Sequence, residues 1–468
     1  MLSHSLIKDL ILMIKDHKFQ LFFFIMTVLF ILSAISSSTT YKSYAEAYQN
    51  LRNEHQNKIH SDTEPSLLNL ISESRPINVV DIPTPSILFS VYENFPNQIR
   101  NSVMLYFPQA LNFGIIGTEK FRLNWFFLLG ILMGFIMLIL SFETFSSEKR
   151  DGTLRLLSSY GLRRQTILWS KYLCYMILYF VIIVPPALIS MILFFALTGT
   201  WSVSFMVKYF LIIFLSIPFA SFFTLLGIFI SMAKNYQSAI VTVVFVWLLF
   251  VIIIPQSANI FGKQLSSIKT NQEYDQINNA IYMSEWAKWN EERETYITAL
   301  SYLETRAKAS VWINEKLNIS HQQMIDDQRK QLRTIQRIKS LSPFIQFERI
   351  SEIIFDKGSY LLNFKEKTLR TTLSQVRNLM IEQDKKDDNS LHLFYNEAAE
   401  DNVKIMLQIP AFSTQKFDHP NLLFVTNIPT DDTLNKTLKI ILRLLPILAL
   451  NLLLIIGSVL KLERLDIR

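Results

Sequence analysis

The residues whose types and spacing could do chemistry are concentrated in one short stretch between two apolar runs. From Glu143 to Arg164, acidic and basic side chains precede the pair Gly152-Thr153, and an apolar run with Leu154, Leu156 and Leu157 and then further arginines follow it. Charges that match a partner surface set register and specificity more than raw affinity, and the leucines add apolar contact. The stretch therefore predicts a docking element for a partner protein.

The sequence contains none of the common catalytic motifs. It has no G-x-x-x-x-G-K-[ST] loop to hold phosphates, no H-E-x-x-H, no Cys/His metal cluster and no G-x-S-x-G elbow. Adjacent acidic pairs such as Asp326-Asp327 point in different directions on a helix, so we interpret them as solvated surface. We predict no catalytic residue, no metal site and no bound cofactor, and we expect the chain not to be an enzyme.

The distribution of apolar residues identifies the class of protein. Half of the 468 residues are hydrophobic, and they are concentrated in blocks. A helix needs about 20 apolar residues to cross a hydrocarbon core of roughly 30 Å. We predict an all-α polytopic membrane protein with six transmembrane helices, at Phe19–Ser36, Leu123–Phe142, Ile167–Thr198, Val207–Met232, Ala239–Ile254 and Leu438–Leu460.

Basic residues next to the spans predict the topology. Lys8, Lys15 and Lys18 precede the first span, and the C-terminal tail is also basic. The positive-inside rule then places both termini and the stretch after the second span in the cytoplasm. The net charge of +7 is explained in this way. No basic stripe with interleaved aromatic residues is present, so we expect no nucleic-acid partner.

The N-terminal residues 3–18 have helical amphipathic spacing. Ile7, Leu10, Ile11 and Ile14 follow the i, i+3, i+4, i+7 pattern. Such a helix can lie in the membrane interface. The alternative is a polar leader that continues into the first span.

The remaining chain divides at the spans. Residues 1–36 hold the interfacial helix and first span, and 37–121 form a first extracytoplasmic insertion whose apolar runs can pack on the membrane surface or the other insertion. Residues 122–257 hold spans two to five with the segment 142–165. Residues 258–436 form a second, mainly helical insertion, and 437–468 form the sixth span and tail. With Cys174 as the only cysteine, no internal disulfide can form.

The interiors of the spans contain few prolines and few ionisable residues. Pro185-Pro186 removes two backbone donors and is expected to interrupt the third span with a kink near its outer end; a hinge for gating is the alternative. Ion-coupled carriers usually keep ionisable residues inside their spans, and these spans are almost entirely apolar. We therefore expect the energy for any transport to come from another subunit.

The stretch Ser147–Leu157, followed by Arg163-Arg164 and an apolar run, resembles the E-R-E-x-G-T-L-x-x-L-L…R…K segment of ABC type-2 transporter permeases. Lys149 and Asp151 replace the usual Arg and Glu or Gln. Two long insertions are similar to the subgroup linked to multicopper-enzyme maturation and gliding-type systems. The stretch Ser342–Ile350 resembles part of that subgroup's second insertion.

The resemblance implies a membrane subunit that pairs with a second permease copy or a homologous permease, above two ATPase subunits that bind ATP and Mg. The setting is the bacterial cytoplasmic (inner) membrane. The segment that docks on the ATPase, the coupling helix, consists of Glu148, Lys149, Arg150, Asp151, Gly152, Thr153, Leu154, Arg155, Leu156 and Leu157. Arg163 and Arg164 are the inner membrane anchor.

Three functions remain open on these observations. The first is an ATP-driven exporter of the ABC type-2 class. The second is mechanical: ATP hydrolysis moves the large second insertion against a periplasmic or envelope partner, and no substrate crosses. The third is a membrane receptor or scaffold that works without an ATPase.

Overall fold

The computed structural model describes residues 2–60, 66–71, 77–89, 98–104, 123–150, 152, 163–232, 236–266, 268–291, 299–394 and 409–464. Within them, six helical stretches are long and apolar enough to cross a membrane, which confirms the predicted class. They are span 1 (His17–Asn57), span 2 (Phe127–Lys149), span 3 (Arg164–Thr198), span 4 (Val203–Ser231), span 5 (Gln237–Leu265) and span 6 (Thr433–Glu463).

The helices and strands follow one another in a mainly helical order. The bounds up to span 3 are α1 (Leu2–Lys15), α2 (His17–His60), α3 (Leu67–Ile71), β1 (Ile77–Val80), β2 (Gln98–Asn101), a π-helix (Phe127–Leu132), α4 (Met133–Ser141), α5 (Thr144–Arg150) and α6 (Arg164–Thr198). The later ones are α7 (Val203–Leu215), α8 (Ile217–Ser231), α9 (Tyr236–Leu248), a second π-helix (Leu249–Ile253), α10 (Ile254–Leu265), α11 (Asn271–Glu291), α12 (Ala299–Lys339), α13 (Pro343–Phe355), α14 (Gly358–Asp384), β3 (Phe424–Val425) and α15 (Thr433–Glu463).

Helix α1 is separate from span 1, as the interfacial interpretation requires. The helix breaks at Asp16, whose side chain accepts a hydrogen bond of 3.1 Å from the backbone N–H of Lys18. A carboxylate in this position satisfies a donor at the start of the next helix. Ile7, Ile11 and Ile14 of α1 are exposed, so the apolar face of α1 is available to the membrane interface.

Span 3 corrects the interruption predicted at Pro185 and Pro186, while the kink predicted there stays a prediction. The helix runs without interruption from Arg164 to Thr198, with both prolines inside it. The residues around the pair, Ile182, Ile183 and Ala187, are fully buried. Prolines are tolerated in membrane helices when neighbouring helices support the backbone, so packing keeps this span helical where local propensity would break it. The hinge role of the two prolines stays a prediction.

Spans 2 and 4 form the centre of the bundle, while span 6 buries little of its surface in this chain. The axes of spans 2 and 4 approach closely because Gly227 of span 4 faces Ser141 of span 2. A Cβ added at Gly227 would overlap the Ser141 hydroxyl and lie 3.1 Å from the carbonyl oxygen of Leu138. Small residues permit such close contact between membrane helices. Motion of span 2 is therefore expected to reach span 4 directly.

The two insertions fold together as one unit. Strand β1 pairs antiparallel with β2 of the first insertion and parallel with β3 of the second, in the order β2-β1-β3. The buried Lys365 of α14 lies 2.5 Å from Asp81, just after β1. A second hydrophobic core contains residues of both insertions, among them Leu70, Val79 and Leu373. The small sheet is an addition to the all-α architecture predicted from sequence.

Helix α13 is part of the membrane bundle although it belongs to the second insertion. Every residue from Ser342 to Ser351 is buried, and the Phe344 and Phe347 rings pack 4.9 Å and 5.4 Å from those of Phe126 and Phe219. Thirteen residues span about 20 Å at 1.5 Å per residue, which is too short to cross a bilayer. This helix therefore enters the bundle from one end without crossing it.

The two π-helices lie where α13 enters. A π-helix leaves backbone groups available for bonds from outside the helix and is often found at functional sites. The carbonyl of Phe250, in the second π-helix, accepts a 2.5 Å hydrogen bond from the Ser342 hydroxyl. The carbonyl of Ile131, in the first, accepts one of 3.3 Å from the Trp247 indole. The irregular backbone of spans 2 and 5 is thus bound by side chains around α13.

Candidate functional site

The charged residues of four elements meet at one end of the bundle. Helix α1, the end of span 2, the start of span 3 and the end of span 6 come together there through side-chain bonds described below. We call this end the terminal face, since both described ends of the chain lie on it. The opposite end, where α13 enters, is the insertion face.

Lys171 is the centre of the terminal face. This side chain is in the third turn of span 3, and its ammonium lies 2.6 Å from Glu148 Oε1 and 3.1 Å from Asp9 Oδ2. Only 9% of the Lys171 side chain is exposed, and 15% of each acidic side chain. We call these three residues the Lys171 clasp. The clasp joins α1, the end of span 2 and span 3 at a single buried cation.

The clasp residues depend on one another for charge compensation. Breaking a buried ion pair by removing one partner is strongly destabilising, because the remaining charge is left uncompensated in a poorly solvated place. Removal of Lys171 would leave the carboxylates of Glu148 and Asp9 facing each other. The three elements are therefore expected to move together at this point.

A second ion pair on the terminal face is more exposed. Lys18 Nζ lies 2.6 Å from Glu143 Oε2, with 49% and 26% of the side chains exposed. Solvent screening makes such pairs weak, about 0–1 kcal/mol. Next to it, the hydroxyls of Thr144 and Tyr175 are 2.8 Å apart in a buried hydrogen bond. Span 1 and span 3 thus both hold the last turns of span 2.

Arg164 connects span 3 to the end of span 6. Its guanidinium donates hydrogen bonds of 2.9 Å and 2.7 Å to the backbone carbonyls of Leu462 and Glu463. The last carbonyls of a helix have no partner within the helix and attract cations. Arg163 is exposed at the first turn. The two arginines therefore differ in their surroundings, and their role as membrane anchor stays a prediction.

Part of the predicted coupling segment is described. Glu148 points into the clasp, Lys149 is exposed, and Gly152 is exposed with a φ of 70° and nothing within 4 Å of an added Cβ. Glycine adopts that left-handed backbone at no steric cost. The side chain of Arg150 and the whole of Asp151, Thr153, Leu154, Arg155, Leu156 and Leu157 lie outside the described residues.

The sequence interpretation did not single out Lys171 or Asp9. Lys171 lies just inside an apolar run, and a charge inside a span signals a partner. Asp9 lies outside the i, i+3, i+4, i+7 apolar spacing of α1 and carries no such signal. The assignment of Glu148 to the docking surface also changes in detail, because its carboxylate is bound within the chain.

On the insertion face, two aspartates connect the second insertion to the spans. Asp356 lies 2.6 Å from Lys436 of span 6 and 3.5 Å from Lys208 of span 4. Asp431 pairs with Lys439 of span 6 and accepts a 2.9 Å hydrogen bond from Tyr360 of α14. The insertion is therefore attached to spans 4 and 6 by ion pairs as well as by α13.

Among the described residues, no group of three or more His, Cys, Asp or Glu side chains is arranged to hold a metal ion. Cys174 is buried, with its sulfur 3.4 Å from that of Met13.

One Ser-His-Asp group is present in the insertion, but Ser390 and Asp384 both bond Nδ1 of His392. A catalytic triad needs the serine and the carboxylate on different ring nitrogens, so this group does not have that geometry.

Comparison with known proteins identifies the family. Residues 4–365 match the family described as ABC-2 family transporter protein. The match includes α1, the Lys171 clasp, spans 1 to 5 and helix α13, which is well over half of the chain. No curated protein and no solved structure matches the chain significantly. The chain therefore belongs to the ABC-2 family of transporter proteins and is a multi-pass integral membrane protein.

Proposed function

We propose that this membrane protein is the permease subunit of an ATP-driven exporter in the bacterial cytoplasmic membrane. A separate ATPase subunit, which binds ATP and Mg, docks on the terminal face, and both chain ends lie in the cytoplasm. The observation that supports this best is the Lys171 clasp. It joins the start of the predicted coupling segment, at Glu148, to span 3 and to α1.

The clasp provides a route by which closure of the ATPase subunits can move span 3. When the ATPase subunits close on ATP, they displace the segment after span 2. Glu148 then carries Lys171 and Asp9 with it, so span 3 and the interfacial helix tilt together. The close contact of Gly227 with Ser141 passes the movement of span 2 to span 4. Spans 1, 5 and 6 keep exposed apolar flanks, which suit lipid and a second permease.

Gly152 offers a matched pair of variants to test the docking. We would co-purify the chain with the ATPase encoded beside it and compare hydrolysis by the complex with hydrolysis by the ATPase alone. Gly152→Asn is expected to preserve assembly, since Asn tolerates a positive φ. Gly152→Val is expected to reduce assembly and stimulation at least tenfold. Equal assembly by both variants and the wild type would overturn the docking proposal.

A second candidate function is mechanical. ATP hydrolysis would move the insertion against an envelope partner without passage of substrate. The attachment of the insertion to spans 4 and 6 through Asp356 and Asp431 favours it, since span motion would move the insertion. A vesicle flux assay distinguishes the two: ATP-dependent uptake of an apolar cargo into inverted vesicles supports export. Hydrolysis that depends on the insertion's partner, with no uptake of any cargo, supports the mechanical function.

A further inference from the structure

The turn from α12 to α13 brings buried polar groups to the junction of the insertion and the bundle. Lys339 ends α12 and is fully buried, and Gln346 and Arg349 on α13 are more than nine-tenths buried. Three of their atoms, Lys339 Nζ, Gln346 Oε1 and Arg349 Nε, have no hydrogen-bond partner among the described residues. Gln346 and Arg349 are three residues apart, so they share one face of α13.

Lys339 differs from the other buried lysines of the described chain. Lys171 has two carboxylates within 3.1 Å, and Lys365 lies 2.5 Å from Asp81. For Lys339 the electrostatic neighbours are Glu348, which attracts it, and Arg349, which repels it, and no ion pair within 4 Å is described. An ammonium group without a partner is among the most costly groups to bury.

Positive charge is in excess at this junction. Arg349 also repels the guanidinium of Arg443 on span 6, and Glu352 attracts it. The carboxylate of Glu352 already accepts a 2.8 Å hydrogen bond from the Ser359 hydroxyl. Three cations, Lys339, Arg349 and Arg443, therefore face two carboxylates, Glu348 and Glu352.

We propose that Lys339 and Arg349, together with Arg443, bind the anionic group of an amphipathic ligand at the insertion face. A phosphate or a carboxylate suits the site, because guanidinium and ammonium groups form strong charge-assisted bonds with both. Gln346 Oε1 can accept a hydrogen bond from a hydroxyl of the same ligand.

Arg443 lies beside exposed apolar residues that can contact the apolar part of the ligand. Its side chain is half-buried, and its neighbours Leu442 and Leu445 are exposed on the flank of span 6. A head group at Lys339 and Arg349 would place an attached chain beside these leucines. The site lies at the end of the bundle opposite the terminal face, so its existence does not depend on an ATPase or on the direction of transport.

The test uses the full chain in nanodiscs without ATPase. The midpoint of thermal unfolding is measured in phosphatidylcholine, in phosphatidylcholine with phosphatidylglycerol, and in phosphatidylcholine with inorganic phosphate in solution. For the wild type we expect an anion to raise the midpoint by about 3 °C. A rise with phosphatidylglycerol alone identifies a lipid head group, and an equal rise with inorganic phosphate identifies a soluble anion.

Two lysines of α12 give matched variants. Lys339→Met removes the buried charge and is expected to abolish the rise; in neutral lipid it should unfold at the wild-type temperature or above, because an uncompensated charge is gone. Lys330→Met changes an exposed lysine and should behave as the wild type. The proposal is overturned if neither anion shifts the wild type or if Lys339→Met keeps the rise. It is also overturned if Lys339→Met unfolds at a lower temperature in neutral lipid, since Lys339 would then be paired within the chain.

Discussion

The substitution Lys171→Met should destabilise the protein far more than its exposed counterpart Lys18→Met. Both lysines lie 2.6 Å from a glutamate of the last turns of span 2, Glu148 and Glu143 respectively. They differ in burial, at 9% against 49% exposure. Loss of one partner of a buried pair costs about 3–5 kcal/mol, while loss of an exposed pair costs about 0–1 kcal/mol.

Variants of the partners of Lys171 show how much of this stability loss comes from each ion pair. Glu148→Gln leaves Lys171 paired with Asp9, so a loss of about 1–3 kcal/mol is expected. In the double variant Lys171→Met/Glu148→Gln, only the Asp9 carboxylate remains charged. The combined loss should therefore fall short of the sum of the single losses by about 1–3 kcal/mol.

Reversible unfolding of the full chain in mixed micelles, followed by tryptophan fluorescence, measures these free energies. Equal losses of unfolding free energy in Lys171→Met and Lys18→Met would refute the buried charge compensation assigned to the clasp. It is also refuted if the Lys171 and Glu148 variants are additive, because the clasp would then hold no coupled charges.

Three further predictions concern other contacts. Arg164→Ala should lower stability by about 1 kcal/mol and speed hydrogen exchange in the last turn of span 6, since two carbonyls lose their donor. Gly227→Val should cost about 2 kcal/mol or more in the same unfolding assay, because the added Cβ overlaps Ser141. Glu285 accepts hydrogen bonds from Lys316, Lys288 and the Trp312 indole, and these lower its pKa to about 2. Its stabilising contribution is present above its unfolded pKa of 4.5 and is lost as pH falls toward 2, so Glu285→Gln should flatten the loss of stability in that pH range.

Each of these changes has a control in the chain. Arg163 is exposed, and Arg163→Ala should leave exchange in span 6 unchanged. At Gly457 the nearest atom to an added Cβ is 3.5 Å away, so Gly457→Ala should be tolerated. Glu315 is exposed on α12, and Glu315→Gln should keep the acid dependence of the wild type. An identical response of a variant and its control would contradict the contact assigned to that variant.

The regular parts of this fold follow from local sequence patterns. Apolar blocks of sufficient length predict the six spans, and the spacing of Ile7, Ile11 and Ile14 predicts α1. These features depend on residues close in sequence, so one chain is enough to recognise them. The helical character of the first half of the second insertion, to about Ser340, follows in the same way, from its scarcity of glycine and proline.

The parts that depend on distant residues were not predictable. Glu348 and Arg349 give α13 the pattern of a surface helix, yet spans 2, 4, 5 and 6 surround it. The pairing of β1 with β3 joins segments far apart in sequence through strands of four and two residues. At the candidate site, the charge of Lys171 was visible, but its position beside Asp9 depends on how α1 folds back on span 3.

We propose that the Lys171 clasp transmits ATPase closure to span 3. The most direct measurement is a distance between spin labels at Leu197→Cys, near the insertion-face end of span 3, and Leu265→Cys, at the end of span 5, in a Cys174→Ser background. The distance is recorded with the ATPase nucleotide-free and trapped after ATP hydrolysis. We predict a shift in the wild type that Lys171→Arg keeps and Lys171→Met loses, although the ATPase still closes. An equal shift in Lys171→Met would contradict the account.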